Sequence, residues 1–169
     1  MSMNIEFREE QNFRKWWHYL FMILPFLFSS SITYLILNNI IKTNDGEKHP
    51  ILLVIITVLS LLGGIWFFSM RLITLIDKDG IEVNYKAIPF AKRKITWGDI
   101  KQIGVVNYSP LLDYGGWGVR WSSDGWCYNV RGNYGIKIIY KNKDIFLIGT
   151  QKKEEAEKII NHYFNKPII

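Results

Sequence analysis

The chain contains two long apolar segments near its beginning. No Asp, Glu, Lys or Arg occurs between Trp16 and Ile41, and none occurs between Pro50 and Met70. About 20 apolar residues in a helix cross a hydrocarbon core of about 30 Å, and buried helices of soluble domains rarely stay uncharged over that length. The pattern predicts a hairpin of two transmembrane helices over residues 16–70, with spans at 16–41 and 50–70. A pair of core helices is the alternative.

Basic residues near the ends of the two apolar segments predict the orientation of this hairpin. Six basic residues flank the outer ends, namely Arg8, Arg14, Lys15, Arg71, Lys78 and Lys86. The connector contains only Lys42 and Lys48. Because basic residues accumulate on the cytoplasmic side, we expect an integral protein of the inner or plasma membrane with both termini cytoplasmic. Residues 1–15 would then be an N-terminal cytoplasmic segment.

From Leu72 onward the pattern changes to short β-branched and aromatic segments separated by turn signals. The run Asp77-Lys78-Asp79-Gly80 between two such segments is typical of a hairpin connection. The predicted strands cover residues 72–76, 81–85, 93–97, 101–108, 119–121, 126–130, 136–140 and 145–148. These segments predict a small antiparallel β domain over residues 71–169.

A helix is predicted after Thr150, whose hydroxyl would cap its first turn. Its apolar residues recur at helical spacing and would form one buried stripe. The stripe consists of Ala156, Ile159, Ile160, Tyr163 and Phe164. About seven antiparallel strands followed by one amphipathic helix is the element order of a pleckstrin-homology-like (PH-like) barrel, an α+β fold in which the helix closes one end.

Several short motifs support the same interpretation by resemblance. They are Ile95-Thr96-Trp97-Gly98-Asp99-Ile100, Gly115-Gly116-Trp117-Gly118, Tyr128-Asn129-Val130 and Leu147-Ile148-Gly149-Thr150-Gln151. Together with the helical hairpin that precedes them, they resemble bacterial membrane proteins that carry a cytoplasmic PH-like domain. The resemblance implies a fold and a membrane location, and it implies no activity.

The sequence offers no convincing catalytic constellation. His18, His49 and His162 lie too far apart to form a metal site or to act as a base for Cys127. Most of the acidic residues sit beside glycine or other turn residues, where a short carboxylate caps backbone donors. No glycine-rich phosphate motif is present. We therefore expect no enzyme activity, no metal and no cofactor.

Residues 113–121 combine three glycines, three large rings and an arginine, and they are the most unusual stretch of the chain. Glycine lets a ligand approach the backbone, aromatic rings stack, and arginine binds anions. The candidate ligand lip consists of Trp117, Arg120, Trp121, Tyr128 and Arg131. The alternative, which the pattern favours, is a tight structural bend whose tryptophans fill one end of the barrel, with Arg131 as a solvated turn residue.

The charge balance predicts a lipid partner rather than nucleic acid. The net charge is +6, and the residues from Arg71 to Ile169 hold 16 basic and 10 acidic residues, so they contain the whole excess. Anionic lipid headgroups would be the nearest partner of such a domain, and plain solubility is the alternative explanation. The candidate lipid-surface contact consists of Lys86, Phe90, Lys92, Arg93 and Lys94.

These observations favour a membrane-anchored binding or scaffolding module whose ligand the sequence does not identify. A membrane protein or a second copy of the chain is the candidate protein partner. The rival hypothesis is a small membrane-bound enzyme or maturation factor with a polar site near the Gly-Gly-Trp-Gly loop. Its active residues would be Tyr108, Asp113, Arg120 and Tyr128.

Overall fold

A computed structural model describes residues 6–13, 16–38 and 49–164 of the chain. The described residues form two compact units. A helical unit runs from Phe13 to Ser69, and a β-rich unit combines the residues up to Asn12 with those from Met70 onward. The β-rich unit is therefore discontinuous in sequence.

The described residues of the helical unit form two helices, α1 (Trp16–Leu37) and α2 (His49–Ser69). They pack against each other, with the ring centroids of Tyr19 and Phe68 4.8 Å apart. Large apolar side chains remain exposed on both helices, among them Leu24, Leu27, Phe28 and Tyr34 on α1 and Leu59, Leu62 and Ile65 on α2.

The predicted transmembrane hairpin is wrong. Within residues 16–38 and 49–164, no helix has both the length and the apolar character that a membrane span requires. This finding overturns the integral membrane localisation and the topology derived from it. The prediction relied mainly on segment length and on the absence of charged residues, and α1 also contains uncharged polar residues such as Ser29, Ser30 and Thr33. Residues 39–48, which include most of the predicted connector, lie outside the described part of the chain.

The β-rich unit contains two sheets. The strands are β1 (Phe7–Asn12), β2 (Arg71–Asp77), β3 (Gly80–Lys86), β4 (Lys92–Thr96), β5 (Ile100–Asn107), β6 (Gly118–Ser122), β7 (Gly125–Asn129), β8 (Tyr134–Tyr140) and β9 (Ile145–Thr150). The first sheet has the antiparallel order β1-β2-β3-β4. The second has the order β5-β8-β9-β7-β6, with β7 and β9 parallel.

Three helical segments complete the part of the β-rich unit that the structure describes. A short 3₁₀ helix (Trp97–Asp99) connects β4 to β5, and α3 (Pro110–Tyr114) connects β5 to β6. The last helix, α4 (Lys153–Tyr163), buries Ala156, Ile159 and Ile160. It packs against strands of both sheets, so it joins them on one side.

The predicted PH-like barrel of about seven strands is also wrong. The described strands form one sheet of four and one of five, and they do not close into a barrel. Two features account for the difference. Strand β1 comes from the N-terminal segment, where the sequence pattern predicts no strand, and the parallel pair of β7 and β9 departs from the expected antiparallel order.

Strand β1 is attached to the second sheet by buried polar side chains. Glu9 is buried, and its carboxylate accepts hydrogen bonds from the Thr150 hydroxyl (2.6 Å) and the Gln151 backbone N–H (2.7 Å). Gln11 is also buried, and its side-chain amide donates to the Gly149 carbonyl at 2.6 Å. These polar side chains face inward where a strand pattern would have apolar ones, which explains why periodicity does not reveal β1.

The expected cap of the last helix is different in the structure. Lys152, not Thr150, occupies the N-cap position of α4. The Thr150 hydroxyl accepts a hydrogen bond from the Lys152 backbone N–H at 3.1 Å while it donates to Glu9. Thr150 therefore links β1, β9 and the start of α4.

The buried carboxyl of Glu9 predicts a pH dependence of stability. Burial raises the pKa of Glu9 above its ordinary value of 4.5, although the bonds from Thr150 and Gln151 partly offset this. The folded state therefore binds the proton of Glu9 more tightly than the unfolded state does. The resulting gain in unfolding free energy is fully present below pH 4.5, and it is lost as the pH rises through the pKa of Glu9 in the folded state.

We expect the unfolding free energy of the parent to fall relative to that of Glu9→Gln as the pH is raised from about 4 to about 7. Urea denaturation of both proteins across this range measures the difference. The exposed neighbour Glu10 supplies the control variant Glu10→Gln. Parallel pH profiles for the parent and Glu9→Gln would contradict the assignment.

Candidate functional site

A cavity of about 320 Å³ opens between the two sheets of the β-rich unit. Its lining comes from β4 and from the two hairpins β6–β7 and β8–β9. We call it the Arg93 pocket and define it by Arg93, Trp121, Trp126, Tyr140, Asn142 and Asp144. It combines one cation with an aromatic wall and a polar wall.

Arg93 occupies its place because of the alternation along β4. It lies opposite Val83 of β3, whose side chain is fully buried, so its own side chain points toward the second sheet. The guanidinium carbon lies 5.6, 5.7 and 5.0 Å from the ring centroids of Trp126, Tyr128 and Phe146. The Nε atom donates to the Tyr128 hydroxyl at 3.4 Å. These contacts fix the orientation of the guanidinium.

The charge of Arg93 has no acidic partner among the described side chains. The ion pairs within 4.0 Å in that part of the chain involve Arg71, Lys92, Lys152 and Lys153 instead. An arginine that is half-buried against rings and lacks a carboxylate can accept an anion from outside.

Two tryptophans form the aromatic wall. Trp121 and Trp126 are paired across the β6–β7 hairpin, so their rings lie on the same face. Trp121 is 68% exposed and Trp126 is 40% exposed, which is high for side chains that normally bury most of their surface. An apolar group of a ligand would gain stability by covering them.

The polar wall is the turn between β8 and β9. Asn142 and Asp144 hold each other through two hydrogen bonds, from Asn142 Nδ2 to Asp144 Oδ2 (2.8 Å) and from the Asp144 N–H to Asn142 Oδ1 (3.0 Å). Burial raises the pKa of Tyr140, and the charge of Arg93 only partly lowers it. Tyr140 is therefore a neutral hydroxyl that can donate or accept at neutral pH.

The five residues of the predicted ligand lip do not form one site in the structure. Trp121 lines the Arg93 pocket and Tyr128 supports Arg93, whereas Trp117, Arg120 and Arg131 make other contacts. Arg120 donates from Nε to the Trp117 carbonyl at 2.9 Å. The Arg131 carbonyl accepts from the Gln151 side chain at 2.7 Å. The hydrogen bond from Arg120 therefore stabilises the Gly-Gly-Trp-Gly loop.

The five residues of the predicted lipid-surface contact do not lie on one face either. Arg93 points toward the second sheet, whereas Lys92 and Lys94 lie on the opposite face of β4. Lys92 forms an ion pair with Glu82 at 2.9 Å. Lys86 ends β3, and Phe90 is fully exposed in the following turn, with a positive φ of 68°. Only Arg93 belongs to the pocket.

Of the four residues of the rival enzyme hypothesis, Tyr108 and Asp113 line one cavity of about 500 Å³, whereas Arg120 and Tyr128 do not line it. Tyr108 packs with Tyr114 and Cys127 in the interior, where burial raises the pKa of Tyr108. The Asp113 carboxylate accepts from the Ser109 N–H at 2.8 Å, next to the start of α3. Burial raises the pKa of Cys127 to about 12, so its thiol stays protonated.

Sequence reasoning missed four of the six residues that define the pocket, namely Trp126, Tyr140, Asn142 and Asp144. The sequence pattern places Trp126 in a strand and indicates only a connection at the β8–β9 turn. One signal was available, because Trp126 and Tyr128 are two residues apart in a predicted strand and must share a face. The contribution of β4 to the same site depends on tertiary packing and has no local signal.

Nor does similarity to other proteins identify the site, because no protein-family model and no curated protein matches the chain. The resemblance to bacterial PH-like membrane proteins stays a prediction from the short motifs.

The aromatic wall depends on the glycine that ends the β6–β7 turn. Gly125 has a φ of +94°, and a Cβ at this position would overlap the backbone carbonyl of Ile145. We expect Gly125→Ala to destabilise the protein by about 1–3 kcal/mol, because the turn must shift. Urea denaturation measures this, and Ser123→Ala in the same exposed turn is the control. Unchanged stability of Gly125→Ala would contradict the described turn.

Proposed function

We propose that this chain is a non-catalytic binding module that captures an anionic ligand with an apolar group in the Arg93 pocket. One observation carries the proposal. Arg93 is held over three rings without a carboxylate partner among the described residues, at a cavity whose wall contains two exposed tryptophans.

The physical chemistry of the pocket favours this class of ligand. A guanidinium binds a carboxylate or phosphate through two parallel hydrogen bonds, and such bonds are stronger than neutral ones. The rings reduce the access of water to Arg93, which strengthens its attraction for an anion. An apolar group beside the anion would cover Trp121 and Trp126, so both parts of the ligand would contribute to affinity.

The same contacts favour binding over chemistry. Asp144, the acid of the pocket, is engaged by Asn142, and Tyr140 has a raised pKa. A Tyr140 hydroxyl with a raised pKa does not supply the base with a pKa near neutral that general acid–base catalysis requires, and the Asp144 carboxylate is occupied by Asn142. The polar wall is better suited to orient a ligand than to exchange protons with it.

We expect the purified full chain to bind indole-3-acetate, a planar ring with a carboxylate, and not its amide analogue. Arg93→Gln should weaken binding by at least about tenfold, because a charge-assisted bond is lost. Arg120→Gln, which removes an exposed arginine outside the pocket, should leave the affinity unchanged. Ligand-observed NMR titration measures all three proteins.

A second variant tests the site independently, in case Arg93→Gln loses binding because it misfolds. Trp121 is mostly exposed, so Trp121→Ala should fold normally and still lose affinity. Equal binding of indole-3-acetate by the parent, Arg93→Gln and Trp121→Ala, or no saturable binding by the parent, would refute the proposed site.

A further inference from the structure

We infer that the natural occupant is an acidic protein segment in extended conformation, which pairs with the free edge of β4 and places an acidic side chain on Arg93. This inference rests on the proposed function of the Arg93 pocket and names its partner class. The edge, a second cavity beside it and the charge of β4 support it.

Strand β4 is the last strand of the first sheet and pairs with β3 alone among the described strands. The direction of its backbone groups follows from the register. The Tyr85 N–H donates to the Ala91 carbonyl at 2.8 Å, and the next hydrogen-bonded pair is Val83 with Arg93. Because such pairs alternate, the N–H and C=O groups of Lys92 and Lys94 point away from β3, toward the free edge.

A second cavity of about 300 Å³ lies next to the Arg93 pocket. Its lining includes Lys94, Ile95 and Lys141, and it shares Tyr140 and Asn142 with the Arg93 pocket. The two cavities therefore follow one another along β4. Alternate side chains of an extended peptide are about 6–7 Å apart, so a segment paired with β4 can present successive side chains to both cavities.

The charge of the edge selects among extended partners. Strand β4 carries Lys92, Arg93 and Lys94 in succession, and only Lys92 has an ion pair among the described residues. The acids of the two cavities are already engaged, Asp99 by the Thr96 hydroxyl at 2.6 Å and Asp144 by Asn142. Charge repulsion opposes pairing with the β4 of a second copy and favours an acidic segment.

The experiment begins with a library of random dodecapeptides displayed on phage. It is selected on the full chain and counter-selected on Arg93→Gln. We expect the enriched peptides to be acidic, with apolar residues at alternate positions. A fluorescently labelled synthetic copy of the most enriched peptide then serves as the probe for anisotropy titrations.

Two variants at one position separate backbone pairing from charge. Lys94→Gln removes the charge and keeps the outward N–H, whereas Lys94→Pro removes both without disturbing the β3–β4 ladder, as proline is tolerated on edge strands. We expect Lys94→Pro to bind the probe at least about tenfold more weakly than Lys94→Gln does. N-methylation of alternate amides in the peptide should cause a similar loss with the unaltered protein.

The outcomes distinguish this inference from the proposed function. Equal affinity of Lys94→Pro and Lys94→Gln, together with tolerance of N-methylation, would overturn strand pairing. If no peptide is enriched while indole-3-acetate still binds through Arg93, the partner is a small anion and the peptide inference is refuted. If neither probe binds, both proposals are refuted.

Discussion

The position of Arg93 is the constraint on which the site depends. Arg93 belongs to the edge strand of the first sheet, but its guanidinium lies over rings carried by β7 and β9 of the second sheet. Those rings are themselves fixed, since Tyr128 and Phe146 meet edge to face with their centroids 4.9 Å apart. The contact between the sheets therefore holds a cation at a cavity without neutralising it.

This arrangement distinguishes Arg93 from Arg71 and Arg120. Arg71 is paired with Glu10 at the surface, and Arg120 holds the carbonyl of its own loop. The exposed ion pair between Arg71 and Glu10 contributes little to stability, and neither arginine is held against a cluster of rings among the described residues. In Arg93 the rings replace the carboxylate, so the side chain is oriented and partly dehydrated while its charge remains available.

A second long-range constraint connects the beginning and the end of the β-rich unit. Glu9 and Thr150 are 141 positions apart in sequence, yet they share a buried hydrogen bond. The helical unit is inserted between β1 and β2, so the β-rich unit cannot be completed until the chain has passed through both helices. Closing so long a connection costs entropy, and the buried polar bonds between β1 and the end of β9 offset part of that cost.

Local features of the fold were predictable because local chemistry determines them. The Asp77–Gly80 turn forms as expected, with the Asp77 carboxylate accepting from the backbone N–H groups of Asp79 and Gly80. The apolar stripe of the last helix is buried at Ala156, Ile159 and Ile160. In each case residues a few positions apart in sequence interact with each other.

The arrangement of sheets and the site were not predictable in the same way. Burial of Glu9 and Gln11 hides β1 from a search for apolar alternation, and the uncharged segments 16–41 and 50–70 predicted membrane spans that the described helices do not provide. Trp121 and Arg93 are each identifiable as candidates from the sequence, but in two separate sets. Only the packing of one sheet against the other brings them to the same cavity.

Binding of an extended partner depends on β4 having a free edge beside the Arg93 pocket. Amide hydrogen exchange of the unliganded full chain, followed residue by residue by NMR, tests this most directly. We predict slow exchange for the N–H groups of Arg93 and Ile95, which bond to β3, and fast exchange for the N–H of Lys94, which points outward. If the Lys94 amide is as protected as that of Arg93, the edge is occupied and the proposed pairing is contradicted.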